Sequence, residues 1–196
     1  MDHTFLQSAR RAQLVDAAID VLADLGAEQA SLVRIAECAG VSRGVVNYHF
    51  PGGRRELFEA AVDAIYDLGR REVHPDTVSA QSPRDSVASF VRGSIAFYAR
   101  YPRHLRALTS IYTSRTGDSL RREERPEHAA EMMATAGLLR DGQVAGQMRE
   151  FDVTLMALTI RAILDTAVGL TAAGADPVVL AGELVSTIDA ATRAIS

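Results

Sequence analysis

The sequence predicts an all-α protein of about nine helices, and two observations support that prediction. Apolar residues recur along most of the chain at spacings of three and four, as they do on one face of an α-helix. No segment shows the strict alternation of a half-buried strand, and no internal repeat or low-complexity tract stands out. At 196 residues the chain is long enough for one or two small domains with a sizeable core.

The first predicted helix covers residues 7–25 and is stopped by Gly26. Its apolar residues share one face at helical spacing: Leu14, Ala18, Val21, Leu22 and Leu25. We expect this face to pack against the segment that follows it.

Residues 31–58 contain two short helices joined by a tight turn, followed by the start of a third helix. Gly40 stands where a helix ends in the left-handed region, which glycine enters without a Cβ penalty. Ser42 follows as an N-cap, and Val41 can pack against Val46 as a hydrophobic staple. These are the parts of a helix-turn-helix, whose second helix enters the major groove of DNA. We therefore predict a three-helix DNA-binding domain over residues 1–53.

The block IAECAGVSRGVVNYHFPGGRRELF within this segment resembles the DNA-binding signature of the tetracycline-repressor (TetR) family. That signature is roughly IA-x-x-A-G-V-S-x-G-x-[LV]-Y-Y-H-F, followed by a short turn, a basic residue and Leu-Phe. This sequence departs from it in two places. Asn47 stands where an aromatic residue is frequent, and Arg54 or Arg55 stands where lysine is usual.

The chemistry of the second helix and its cap suits contact with DNA. Ser42 can bind a phosphate through its hydroxyl and backbone N–H, and Arg43 can reach a phosphate or a guanine edge. Gly44 lets the backbone approach the duplex closely, and Val45 can touch a thymine methyl group. We expect Val46 and Phe50 to face the core instead.

The resemblance extends this set to residues that the family uses on the DNA backbone. Tyr48 and His49 resemble its phosphate-contacting pair, and Arg54 can replace the usual lysine. Arg10 and Arg11 lie near the end of the first helix that approaches the backbone in the family, and they are otherwise solvated side chains. The predicted DNA-binding residues are Ser42, Arg43, Gly44, Val45, Asn47, Tyr48, His49 and Arg54.

Composition argues against several other kinds of site. The single cysteine, Cys38, excludes an internal disulfide and a cysteine-based zinc site, and the five histidines are scattered, so we expect no metal and no cofactor. No nucleophile elbow, phosphate loop or dinucleotide fingerprint is present, so we expect no enzyme. The net charge of −4 does not exclude DNA binding, because a binding surface can be basic locally.

The rest of the chain, residues 54–196, also reads as helices and is predicted to be a ligand-binding and dimerisation domain. Pro102 suits the first turn of a helix, Asp152 and Asp176 suit N-caps, and Gly142 is expected to break a helix. The predicted helices cover residues 54–72, 84–101, 102–116, 127–140 and 152–173, with a last one from 177 and a loop over 74–83.

The last two helices carry more apolar surface than one small domain needs to bury. Their apolar residues are Leu155, Leu158, Ala162, Ala167, Val168, Leu180, Leu184, Ile188 and Ala191. The resemblance implies a homodimer built from these helices of two chains. A dimer also makes physical sense, because one short recognition helix reads too few base pairs for useful specificity.

A ligand site is suggested by aromatic and flexible side chains on the middle helices. Arg161 and Asp165 stand four apart on an otherwise apolar helix, where an isolated charge is costly to bury. They bridge each other at a wet edge or a dimer interface, or they supply the few polar groups that an apolar pocket needs. The predicted ligand-binding residues are Phe97, Tyr101, His104, Tyr112, Met133, Arg161 and Asp165.

Together these observations predict a cytoplasmic, homodimeric transcriptional regulator, a repressor released from palindromic double-stranded DNA by a small apolar or aromatic effector. No charge-free run of about 18 apolar residues and no secretory signal is visible, so we expect no membrane partner. One alternative is a DNA-binding regulator without small-molecule input that a protein partner controls. A more remote alternative is an enzyme that uses the helical domain.

Overall fold

The computed structural model describes residues 2–115 and 120–194, and the side chains from residue 6 onward within them. This part of the chain forms nine α-helices, one short 3₁₀ helix at Arg122–Glu124 and no strand, which confirms the predicted all-α class. The helices are α1 (Asp2–Leu25), α2 (Leu32–Cys38), α3 (Arg43–His49), α4 (Gly53–Val78), α5 (Pro83–Arg100), α6 (Pro102–Thr113), α7 (Pro126–Val144), α8 (Val153–Ala172) and α9 (Pro177–Thr192).

Side-chain caps fix where several helices begin. The predicted caps are confirmed: Ser42 accepts from the backbone N–H of Val45, and Asp152 and Asp176 each accept from two backbone N–H groups of the following turn. Ser31 and Ser82 cap α2 and α5 in the same way, although the sequence analysis did not identify them. Each cap satisfies donors that would otherwise have no partner within the helix.

Helix α4 runs through Pro75 to Val78, so the predicted end near residue 72 and the predicted loop from 74 were wrong. Pro75 lies in the last turn, where the loss of its N–H removes only one helical hydrogen bond. The Thr77 hydroxyl donates to the Val73 carbonyl at 3.0 Å, and the Ser79 N–H donates to the Pro75 carbonyl at 3.1 Å. These two bonds satisfy carbonyl groups on either side of His74, and the helix continues to Val78.

Helix α7 continues past Gly142 to Val144, which contradicts the predicted break at that glycine. Gly142 is buried, and a Cβ there would lie 2.5 Å from the Met148 sulfur. Its small size therefore serves packing, and the chain turns at Gly146, which has a φ of +67°. Helix α6 ends at Thr113, and the end expected for it near Gly117 lies outside the described residues.

The chain divides into two compact units. Unit 1 comprises residues 1–67 and 103–124, and unit 2 comprises residues 68–102 and 125–194 of the described chain. The helix-turn-helix therefore packs in one unit with the first part of α4 and with α6. The functional boundary between residues 53 and 54 stays a prediction.

Unit 1 has a continuous apolar core beneath the helix-turn-helix. Its most deeply buried large side chains include Leu14, Leu22, Ile35, Phe50 and Phe58, none of them more than 1% exposed. Helix α6 adds Ala107 and Ile111 to the same core. Burial of about 25 cal/mol for each Å² of apolar surface is the main stabilising term for such a core.

Unit 2 is a bundle in which α5 packs against α7, α8 and α9. Its buried side chains include Val91, Ile95, Leu139, Ile160 and Leu164. Helix α8 is the one helix of the described residues that is long and apolar enough to cross a membrane, by length and composition alone. That is weak support for a membrane helix, because core helices of soluble proteins pass the same test.

Candidate functional site

Local hydrogen bonds at the end of α2 shape the turn that leads into α3. The φ of Gly40 is +65°, as the sequence predicts. The Gly40 N–H donates to the Glu37 carbonyl at 3.1 Å, and the Val41 N–H donates to the Ala36 carbonyl at 2.9 Å. These two bonds close the end of α2 and direct the chain into α3.

Helix α3 has a buried side and an exposed side. Val46 and Phe50 are 0% exposed, which confirms the prediction that they face the core. Val45 and His49 are half-buried. The residues of the predicted DNA-binding set on the exposed side are Ser42, Arg43, Gly44, Asn47 and Tyr48.

Tyr48 is the most prominent aromatic residue of this surface, with 68% of it exposed. The Gln7 side-chain amide donates to its hydroxyl at 3.2 Å, and its ring meets that of His49 edge to face at 5.1 Å between centroids. An exposed tyrosine held in this way can donate its hydroxyl hydrogen to an acceptor such as a phosphate oxygen.

Arg11 holds the C-terminal end of α3 in place. Its guanidinium donates to the His49 carbonyl at 2.5 Å and to a Glu56 carboxylate oxygen at 3.2 Å. It also lies 4.0 Å from the centroid of the Phe50 ring. The sequence left Arg11 open between a DNA contact and a solvated side chain, and it did not indicate this positioning role.

The two arginines that follow the turn differ in their surroundings. Arg54 is half-buried, donates to the Ala27 carbonyl at 3.4 Å and lies 5.6 Å from the Phe58 ring centroid. Arg55 is exposed and pairs with Glu59 at 3.1 Å. The contacts of Arg54 join α4 to the loop after α1, and Arg55 presents its guanidinium outward.

The charge around α3 is positive although the whole chain is negative. Between Glu37 and Glu56 the sequence has no acidic residue and three arginines, at positions 43, 54 and 55. Asp20 and Asp24 of α1 each pair with Arg103 at 2.9 Å, and the hydrogen bond from Arg103 lowers the pKa of Asp24. A locally basic surface of this kind suits a polyanion.

Gly44 is not required by packing against other residues. A Cβ built on it would lie 3.6 Å from the Ser42 hydroxyl oxygen, which is an ordinary contact, and Gly44 lies in a right-handed helix. Close approach of another molecule to the backbone remains our explanation for glycine at this exposed position.

The seven predicted ligand-binding residues lie in two different units. His104 and Tyr112 belong to unit 1, where Arg122 lies 5.3 Å from the Tyr112 ring centroid and burial lowers the pKa of His104. Met133 is 75% exposed. Phe97, Tyr101, Arg161 and Asp165 lie in unit 2 with Met133. One pocket formed by all seven therefore stays a prediction.

Arg161 is the centre of a half-buried polar cluster in unit 2. It donates to Glu131 at 2.6 Å and to the Tyr98 hydroxyl at 2.9 Å, and it pairs with Asp165 at 3.0 Å. Its Nε is buried and has no hydrogen-bond partner among the described residues. Tyr98 and Glu131 are members of this cluster that the sequence analysis did not select, since only the Arg161–Asp165 spacing signalled it.

The electrostatics of the cluster favour a charged arginine. Burial opposes the charge of Arg161, but Tyr98, Glu131 and Asp165 outweigh it and raise the pKa of the guanidinium. Burial raises the pKa of the Tyr98 hydroxyl. Tyr98 therefore stays a neutral hydrogen-bonding group beside a permanent cation.

A narrow void lies next to Arg161, and it has no room for a water molecule. Of the seven predicted residues only Arg161 lines it. Its lining residues are Phe90, Glu131, Met132, Thr135, Ala157, Ile160, Arg161 and Leu164. Among the described residues no group of three or more histidine, cysteine or acidic side chains could hold a metal ion.

Residues 14–61 match the model of a family described as bacterial regulatory proteins, tetR family. The matched segment contains the second half of α1, all of α2 and α3, and the start of α4. It therefore includes every residue of the predicted DNA-binding set.

Individual relatives extend this similarity. The chain is 34% identical over 90 residues to the HTH-type transcriptional regulator BetI 1 of Chromohalobacter salexigens, covering 45% of this chain and 44% of that protein. It is 28% identical over 131 residues to BetI of Rhizobium meliloti, covering 59% and 64% of the two chains. The chain thus matches less than two thirds of the length of either curated relative.

Solved structures share the fold over nearly the whole chain. A Rhodococcus sp. protein described as a TetR-family transcriptional regulator superimposes with a TM-score of 0.82 at 25% identity. The superposition covers 93% of this chain and 98% of that one. The similarity therefore includes the helices beyond residue 61.

Proposed function

This chain belongs to the TetR family of bacterial regulatory proteins, and we propose that it acts as a cytoplasmic, homodimeric, DNA-binding transcriptional regulator. In this proposal it is a repressor that a small apolar or aromatic ligand releases from a palindromic operator. We assign it no catalytic role, since the relatives are named as transcriptional regulators.

The exposed side of α3 is the single observation that carries DNA binding. Ser42, Arg43, Asn47 and Tyr48 present hydroxyl, guanidinium, amide and phenol groups outward from a helix whose other side is anchored in the core. These groups suit phosphate and base-edge contacts in a major groove. Arg11 supports them by fixing the end of α3 through the His49 carbonyl.

The dimer is supported by large apolar side chains that stay exposed on α8 and α9. Leu155, Leu158, Val178 and Val179 are 64%, 51%, 79% and 63% exposed. Contact with a second chain would remove such side chains from water. Two residues of the predicted interface cannot contribute in this way, because Ala167 and Ile188 are buried within unit 2.

Ligand recognition is supported by the Arg161 cluster. It places oriented polar groups beside apolar walls, which is the usual chemistry of a small-molecule site. The unpartnered Arg161 Nε is a buried donor that a ligand acceptor would satisfy. The void is smaller than typical ligand pockets, so we propose that α7 and α8 shift when the ligand enters.

Selection of binding sites from random DNA tests the DNA-binding proposal. We expect palindromic or nearly palindromic sites with half-sites about one helical turn apart, since a two-fold dimer presents two recognition helices. Selected DNA without a dyad would exclude a symmetric dimer. Failure to select any sequence would exclude sequence-specific binding.

Arginine variants then separate the roles around α3. Arg43→Ala should weaken binding to the selected site more than to random DNA if Arg43 reads a base edge. For Arg54→Ala and Arg55→Ala the salt dependence of DNA binding should be measured. The slope of the logarithm of the binding constant against the logarithm of the salt concentration falls by about one for each lost phosphate contact. Arg140→Ala is the matched control, because it removes an exposed arginine of α7 in the other unit.

A thermal-shift screen against small molecules tests the ligand proposal. A ligand that binds the folded state raises the melting temperature with its concentration, and it should also release operator DNA. Arg161→Met should lose this response and keep operator affinity. Operator binding that no small molecule alters would favour control by a protein partner.

A further inference from the structure

Unit 2 contains a groove that no predicted site includes. It has a volume of about 650 Å³, within the range of small-molecule sites. It lies where the start of α5, the turn after α7 and the end of α9 meet. Its lining residues are Ser82, Arg84, Asp85, Val87, Ala88, Val91, Arg92, Gly146, Gln147, Met148, Val185, Ile188, Asp189, Thr192, Arg193 and Ala194.

Hydrogen bonds between the three segments fix the shape of the groove. The Arg149 N–H donates to the Thr192 carbonyl at 2.9 Å, and the Ala194 N–H donates to the Gln147 carbonyl at 3.2 Å. The Arg84 backbone N–H donates to the Gln147 side chain at 3.3 Å. The groove is therefore preformed, which lowers the entropy that a ligand loses on binding.

The floor of the groove is apolar. Val87, Val91, Met148 and Ile188 line it, and each is at most 4% exposed. Met148 reaches this position because Gly142 leaves room for its side chain. A ligand with an alkyl or aryl body could place its own apolar surface against this floor, out of water.

The rim has more hydrogen-bond donors than acceptors. Both carboxylate oxygens of Asp189 are engaged, Oδ1 by Arg84 at 2.6 Å and Oδ2 by Arg193 at 3.0 Å. Asp85 accepts from the Ser82 hydroxyl at 2.7 Å as part of the cap of α5. Arg92 is exposed and has no partner among the described residues. Since each guanidinium carries five N–H donors, unused donors remain.

The net charge of the rim also favours a ligand group that accepts hydrogen bonds. Three arginines, Arg84, Arg92 and Arg193, face two aspartates, Asp85 and Asp189, which leaves an excess of one positive charge. An anionic group would balance this charge and accept from the unused donors. A cationic group would add to this positive excess.

We propose that this groove is a second small-molecule site, separate from the void at Arg161, that binds an amphipathic anion. The anionic head group, a carboxylate or a phosphate ester, lies among Arg84, Arg92 and Arg193, and the apolar body covers the floor.

Calorimetric titration of the full chain without DNA tests this site. The probes are decanoate and decyl phosphate below their micelle concentrations, with decanol and decyltrimethylammonium as neutral and cationic controls of equal chain length. We expect the anions to bind and the controls to bind at least about tenfold more weakly, as loss of a charge-assisted hydrogen bond predicts. Which anion binds more tightly identifies the head group. Equal binding of decanol and the anions would overturn the proposal.

Two variants locate the binding site. Arg92→Glu reverses a charge that has no described partner, so the fold should persist while anion binding falls at least about tenfold. Ala88→Met fills the groove without changing its charge and should block the anions as well. Arg140→Glu, an exposed charge reversal outside the groove, should leave binding unchanged. Binding that survives both groove variants would show that the anions bind elsewhere.

Discussion

The two compact units bury different kinds of side chain. The core of unit 1 is apolar, and among the described residues all five buried polar side chains lie in unit 2: Thr77, Ser86, Ser94, Thr135 and Thr192. Unit 2 also holds the Arg161 cluster and the open groove. An apolar core favours a single packed arrangement that presents α3 in a fixed geometry. Buried polar groups are stable only while their partners stay in place.

The largest expected effect comes from the polar cluster of unit 2. Arg161→Ala should lower the free energy of unfolding by about 3–5 kcal/mol, because Glu131 and Asp165 lose their shared cation in a half-buried setting. Urea unfolding followed by circular dichroism measures this change. Arg140→Ala, the exposed control on α7, should stay within about 0.5 kcal/mol of the parent. Equally small changes in the free energy of unfolding for both variants would show that the polar cluster does not stabilise unit 2.

The packing of unit 2 is tested by two glycines of the same helix. Gly142→Ala should destabilise by about 1–3 kcal/mol, since its Cβ would overlap the Met148 side chain. Gly137→Ala has nothing within 4 Å of the new Cβ and should stabilise by about 0.5–1 kcal/mol through helix propensity. Both free energies come from the same denaturant titration. If Gly142→Ala stabilised the protein as Gly137→Ala is expected to, Met148 would be free to move aside.

Unit 1 should be sensitive where the backbone conformation is special. Gly40→Ala places a Cβ in the left-handed region and should lower the free energy of unfolding by about 1–2 kcal/mol. Gly44→Ala lies in a helix with room for the Cβ, so stability should not fall while operator affinity should. Electrophoretic mobility shifts at matched folded fractions separate the two effects. Intact operator affinity in Gly44→Ala would mean that DNA does not approach this backbone closely.

The smallest expected effect is a pH dependence in unit 1. Burial lowers the pKa of His104 below its unfolded value near 6.5, while Asp16 and Asp20 oppose that shift. The unfolded chain therefore takes up the proton first, so stability is lost as the pH falls from about 6.5 through the lower folded pKa. Thermal unfolding at pH 7.5 and pH 5.5 should show this loss, and it should be smaller in His104→Gln. An equal loss in both proteins would assign it to other groups.

Sequence reasoning predicted those features that depend on local patterns. The helical class, the glycine turn at Gly40 and the caps at Ser42, Asp152 and Asp176 each rest on residues close together in the chain, and each was confirmed. The burial of Val46 and Phe50 followed from the same helical periodicity.

The features that sequence reasoning missed depend on distant partners. Gly142 was read as a helix breaker because Met148, which occupies the space above it, gives no local signal. Arg11 contacts His49 and Glu56 across gaps of 38 and 45 residues, and Arg161 reaches Tyr98 across 63. The exposure of Met133 depends on which side of α7 packs inward, and the sequence placed it with the aromatic residues instead.

The Arg161 cluster also determines how unit 2 can change shape. One guanidinium on α8 joins Glu131 on α7 and Tyr98 on α5, so a rotation of α8 would strain several bonds together. Each broken bond would leave a polar group in a poorly solvated place, which makes intermediate positions of the helix costly. The bundle is therefore expected to move between discrete arrangements rather than to deform gradually. A ligand that enters beside Arg161 would then shift the bundle from one arrangement to the other. The helices would change position little until all the hydrogen bonds of the cluster exchange partners together.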